Sequence, residues 1–144
     1  MSIKIKTAEI EHAIDITVLT KELGYSASET DTKDWLHYLI NSSGHGVFVA
    51  INETCSVCGW VVVEQRVSLE TGYKAEISGL VVGAKFRRLG VGQKLIQSTE
   101  EWAVKNKLIK LVVSSNIQRN ESHSFYKSIG FASKKTSHKY EKFL

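Results

Sequence analysis

Ile77-Ser78-Gly79-Leu80-Val81-Val82-Gly83-Ala84-Lys85-Phe86-Arg87-Arg88-Leu89-Gly90-Val91-Gly92-Gln93 is the stretch on which the reading of this chain turns. A β-rich run, Lys74–Val82, closes at Gly83. A loop with two arginines and two glycines then opens a helix from about Leu89 to Lys105. Val91, Leu95, Ile96, Thr99, Trp102 and Ala103 recur at helical spacing and form its buried stripe. The first N–H groups of any helix lack partners, and the peptide dipoles place partial positive charge there. Gly90 and Gly92 let a ligand approach the backbone with no Cβ in the way. Arg87 and Arg88 offer paired donors to phosphate oxygens. Together these features describe a pyrophosphate cradle. The spacing is not that of a P-loop, and it fails the dinucleotide fingerprint because Leu95 stands where a third small residue is needed.

Working outward, Ile3–Lys6 reads as a short first strand. Ile10, Ala13, Ile14, Thr17 and Val18 follow helical spacing up to Gly24. Ser28 to Thr32 supplies capping residues for a second helix that carries Trp35, Leu36, Leu39 and Ile40 and stops at Asn41-Ser-Ser-Gly44. Gly46–Ile51 and Val57–Gln65 are strands joined by an expected hairpin at Asn52-Glu-Thr-Cys55. Ile109–Ser114 reads as an apolar strand buried on both faces, and Asn120 to Ile129 as a fourth helix with Gly130 as its C-cap. The tail alternates weakly and suggests one or two closing strands. This order predicts an α/β (α+β) mixed sheet covered by helices. A chain of 144 residues sets the expectation of a single domain over 1–144.

Composition narrows the function classes. Apolar residues make up 42% and charged residues 24%, a globular balance with room for a core. Charge-free stretches such as Thr54 to Val63 are too short to span a bilayer, so no membrane partner is expected. MSIKIKTAEIEHA has no apolar h-region, and with two cysteines the expected location is cytoplasmic, without a disulfide framework. Cys55-Ser-Val-Cys58 has no second ligand pair and the histidines are scattered, so no metal site is expected. Residues 1–79 hold eleven Asp/Glu against six Lys/Arg, and residues 80–144 hold thirteen Lys/Arg against four Asp/Glu. The basic half suits an anionic partner and the acidic half a cationic one. No basic run reaches the length of a nucleic-acid arm, which argues against nucleic acid as the partner.

Two segments carry a family resemblance. Arg87-x-x-Gly90-x-Gly92 between a strand and a helix resembles the acetyl-coenzyme A signature of the GNAT superfamily of N-acetyltransferases. Further on, Asn116-Ile-Gln-Arg119 and Phe125-Tyr126-Lys-Ser-Ile-Gly130-Phe131 resemble that family's second motif, notably as found in its aminoglycoside-acetyltransferase-like members. One departure is Arg88, at a position where the family often has Gly. The resemblance implies a twisted, largely antiparallel mixed sheet of six to seven strands flanked by about four helices. It implies an acetyl-CoA-dependent N-acetyltransferase that moves acetyl directly to a primary amine through a ternary complex, with a homodimer as one assembly.

The same resemblance implies the site. Backbone groups at Leu80, Val81 and Val82 would pair with the pantetheine arm as an added strand. Arg87, Arg88, Leu89, Gly90, Val91, Gly92 and Gln93 would hold the pyrophosphate, and Asn116 would touch the cofactor arm. Tyr126 would sit beside the cofactor sulfur as the acid. Glu76 is the candidate base, with a merely solvated strand glutamate as the competing reading. Tyr25 and Trp35, with Glu29, Asp31 and Asp34, either line the acceptor side or serve as core aromatics and a helix cap. The alternative function is a non-catalytic acyl-CoA-binding module. A basic nucleic-acid-associated protein is the third class, and steep salt dependence would mark it.

Overall fold

The structure is a computed structural model that describes residues 2–115 and 120–144. Asn116 and Arg119 lie outside the described residues. Two compact units are present, Met1–Val113 and Ser114–Leu144.

The first unit is a five-stranded sheet with helices on it. Its strands are β1 (Lys4–Thr7), β2 (His45–Ile51), β3 (Val57–Ser68), β4 (Gly72–Val82) and β5 (Leu111–Val113), in that spatial order. The first three pairings are antiparallel and β4–β5 is parallel. The expectation of six to seven strands is therefore corrected to five among the described residues. The tail gives no strand: residues 131–144 are irregular, and Tyr140, Phe143 and Leu144 are exposed. With Ser133-Lys-Lys-Thr-Ser-His-Lys139 between them, those apolar residues are too sparse to give a strand one buried face. The fifth strand is also shorter than expected and half-buried rather than buried on both faces. Ile109 is fully exposed ahead of it.

The helices of this unit are α1 (Ala13–Glu22), α2 (Glu29–Ile40) and α3 (Val91–Lys105). Ser28 caps α2 as expected, its Oγ accepting from the Asp31 N–H at 3.0 Å. One face of the sheet, with Val47, Val49, Val62 and Val81, packs on Ile16 and Leu19 of α1 and Leu36 of α2. The opposite face carries Val63 and Ala75 against Ala103 of α3. Val91, Leu95, Ile96, Thr99 and Ala103 are buried, so the predicted stripe of α3 holds apart from half-buried Trp102.

The strand that matters most is bulged. Val62 pairs with Gly79 but Val63 pairs with Ile77, so Ser78 is an extra residue in β4. One extra residue exchanges the faces. Ala75 packs toward α3, whereas Val81 packs toward α1 and α2. The ring of Trp60 on β3 reaches the strand just past the bulge: a Cβ on Gly79 would stand 2.8 Å from Trp60 Cζ3. Only glycine leaves room for that ring.

The second unit contains α4 (Asn120–Ser128) and the tail. The helix ends at Ser128, and the expected terminating glycine, Gly130, follows with a φ of +99°. The Phe131 N–H returns to the Tyr126 carbonyl at 3.0 Å.

Gly79→Ala is expected to lower the unfolding free energy by about 1–3 kcal/mol, the range for forced overpacking. Trp60→Leu in the same background should recover part of that loss, as measured by urea denaturation.

Candidate active site

The bulge and the end of β5 together open an edge. β4 pairs with β5 only at Ala75, Glu76 and Ile77. From Gly79 to Val82 it pairs with β3 on one side, and among the described residues nothing pairs on the other. The Gly83 N–H donates to the Cys58 carbonyl at 2.8 Å, which fixes the alternation of the ladder. Val81 then turns its backbone groups toward β3, and Leu80 and Val82 turn theirs to the open side. That open side is where one more extended chain could add.

The loop that follows leads to the start of α3. Gly83 to Phe86 make a 3-10 turn, pinned by Glu22 of α1, whose Oε1 accepts the Ala84 N–H at 3.1 Å. Arg87 is extended (φ −69°, ψ 151°). Arg88 and Gly90 both take left-handed backbone, with φ of +65° and +78°. The helix begins at Val91, not at Leu89 as expected, because left-handed Gly90 is its N-cap. No side chain caps the helix and no acidic residue sits in its first turn, so its leading amides and positive dipole end have no side-chain partner there. Arg87, Arg88 and Leu89 are exposed, Gln93 is exposed, and Gly92 is half-buried. Among the described residues neither arginine makes an ion pair. The departure at Arg88 has a structural meaning: the position needs positive φ, which glycine takes freely and arginine takes only with strain.

Glu76 stands two residues before the bulge, half-buried. Its Oε2 accepts from Arg66 Nη1 at 3.5 Å. The same nitrogen lies 3.6 Å from Glu64 Oε1, and Glu64 Oε2 lies 3.2 Å from His45 Nε2. Arg66, Glu64 and His45 escape a reading of the sequence because they come from three positions that only strand register brings together. The one available signal is the pair of like charges that hairpin alignment of Glu64 with Glu76 produces.

Tyr25 and Trp35 are 65% and 55% exposed, so neither is a core aromatic. In the second unit Tyr126 is half-buried, with Phe125 and Phe131 edge-on to its ring at 5.3 and 5.6 Å. Cys55 is exposed at φ +64° in the β2–β3 turn, and Cys58 is fully buried with its thiol pKa pushed up by burial. A raised thiol is a poor nucleophile. Among the described residues no His, Cys, Asp and Glu side chains group to hold a metal ion, and no helix is long and apolar enough to cross a membrane.

A sequence model of the Acetyltransferase (GNAT) family matches residues 12–131. The chain belongs to that family. A curated relative of this acetyltransferase, the uncharacterized N-acetyltransferase YhdJ of Bacillus subtilis (strain 168), is 30% identical over 104 residues, 69% of this chain and 71% of the relative. Among solved structures, aminoglycoside 6'-N-acetyltransferase AAC(6')-Ih from Acinetobacter baumannii is similar at a TM-score of 0.86 and 18% identity, with 99% of each chain covered. AAC(6')-Iy, solved with a CoA-containing bisubstrate analogue, gives a TM-score of 0.88 at 16% identity over 100% of both chains. At such identities these two likenesses speak for the fold. The family membership makes the chain an acyltransferase, and acetyl-CoA is the cofactor of that family.

The open strand edge and the uncapped helix start fit that cofactor: the one suits a chain of amides, the other a diphosphate. Gly90→Ala is expected to destabilise the apo-acetyltransferase by about 1–2 kcal/mol, and Arg88→Gly to leave it as stable or more so. Thermal denaturation without ligand checks both signs.

Proposed function

We propose that the chain transfers an acetyl group from acetyl-CoA directly to a primary amine bound beside it. The observation that carries the reading is the unpaired edge of β4 at Leu80 and Val82, leading into the left-handed loop and bare start of α3. In this reading the outward backbone groups of Leu80 and Val82 hold the pantetheine arm, and Arg87 through Gln93 hold the pyrophosphate. Val81, turned toward β3, contributes through the sheet. Asn116, next to the arm in the family resemblance, is the remaining polar contact. Two units, crossed by one family match over residues 12–131, then act as one N-acetyltransferase domain.

Acetyl-CoA supplies an acyl group activated as a thioester. The protein's part is to place, polarise and move protons. An outward N–H of β4 donates to the acyl oxygen where negative charge develops. An ammonium has no lone pair, so the acceptor must first lose a proton, and the Glu76 carboxylate takes it. Tyr126 would give its phenolic proton to the departing sulfur, and the second proton that the nitrogen loses as the amide forms would restore the phenol. Such proton transfers typically contribute about 10²–10⁴ in rate.

In this reading the acceptor sits on the sheet face to which Glu76 belongs, and exposed Tyr25 and Trp35 are its candidate contacts. Residues 1–79 hold eleven Asp/Glu against six Lys/Arg, an acidic balance that suits a cationic amine. Aminoglycosides, the substrates in the names of several structural neighbours, are amines of that kind.

Acetyl-CoA at about 100 times Kd is expected to add roughly 2.7 kcal/mol to stability, where NAD and ATP add nothing. Thiol release with a panel of primary amines, aminoglycosides included, should then fall about 10²-fold in Tyr126→Phe and in Glu76→Gln. A thermal shift with no turnover on any amine would favour the non-catalytic acyl-CoA-binding module.

A further inference from the structure

Glu64 and Glu76 are direct partners across the β3–β4 ladder. Side chains so placed are close neighbours on one face, and like charges there repel. One guanidinium nitrogen answers both: Arg66 Nη1 lies 3.6 Å from Glu64 Oε1 and 3.5 Å from Glu76 Oε2. Arg66 has its own reason to lean that way. Its direct partner on β4 is Lys74, which repels it toward the diagonal carboxylate.

The glutamate behind is fixed in turn. Glu64 Oε2 meets His45 Nε2 at 3.2 Å, and His45 Nδ1 meets Ser42 Oγ at 2.7 Å. The ring of Tyr38 stands edge-on to His45 at 6.2 Å. On the far side of Glu76 the β5 partner is Val112, which brings no charge. Among the described residues Arg66 is therefore the one cation on Glu76, and the oxygen it meets is Oε2.

We propose that Arg66 is a positioning residue for acetyl transfer: anchored by the His45–Glu64 pair, it holds Glu76 by one oxygen and presents the other to the acceptor amine. This rests on the reading of Glu76 as the proton acceptor.

The test compares the wild type with Arg66→Leu, Arg66→Lys, Glu76→Gln and the Arg66→Leu/Glu76→Gln double variant. Thiol release from acetyl-CoA with neamine as acceptor, melting temperature, and a crystal structure of each variant are the readouts. Arg66→Leu should lower kcat about tenfold at unchanged KM for acetyl-CoA and near-native melting temperature, since small misplacements of a reacting group are costly. Arg66→Lys should restore most of the rate, and Arg66→Leu should cost nothing further once Glu76 is Gln. The crystal structure of Arg66→Leu should show the Glu76 carboxylate displaced. An unmoved Glu76 carboxylate in that crystal, or an equal loss in the Glu76→Gln background, overturns the proposal while leaving Glu76 as base. Full neamine acetylation by Glu76→Gln overturns the base reading and this proposal with it.

Discussion

A single extra residue, Ser78, sets the chemistry of this sheet. Without it the alternation of Ala75 and Ile77 would continue, and Val81 would face α3 instead of packing on α1 and α2. With it, Glu76 before the bulge and Val81 after it share a face. The strand also leaves its parallel partner at Ile77. The candidate base and the unpaired amides of Leu80 and Val82 are thereby kept within a few residues on one rigid strand. Beside the bulge, the Trp60 ring fills the space that a side chain on Gly79 would need.

The helix start is held by the core rather than by local caps. Val91 and Leu95 are buried almost completely, and Ile96, Thr99 and Ala103 extend that contact along α3. Apolar burial of this extent is worth several kcal/mol at about 25 cal/mol per Å². It outweighs the strain of a left-handed Arg88 and an end without capping side chains. Packing behind the helix thus holds its start in place without a side-chain cap on the leading amides. The arginines beside them carry charge that no acidic neighbour among the described residues cancels.

Most elements were legible because their signals are local. Ser28 three residues ahead of Asp31 announces α2, and the stripe from Val91 to Ala103 announces α3. The strand–loop–helix junction was legible for the same reason; its arginines and glycines suggest an anion cradle, though glycines at a helix start often serve structure alone. What escaped depends on partners distant in sequence. Nothing in Ile77-Ser78-Gly79 marks which residue will be left over, because that is decided by how β3 aligns. The ion-pair line from His45 through Glu64 and Arg66 to Glu76 joins three strands and has no sequence spacing of its own. The positive φ of Arg88 was hidden because arginine does not advertise it. In the tail, weak alternation over-promised strands that its lysines and serines could not bury.

In the proposed reading the unpaired side of β4 takes the cofactor's amide chain as an added strand. Amide hydrogen exchange along β4, with and without coenzyme A, addresses it residue by residue. Slowed exchange at Leu80 and Val82 on adding the coenzyme, with Val81 already protected in its absence, is the expected pattern. Unchanged exchange at Leu80 and Val82 under saturating coenzyme would contradict the account.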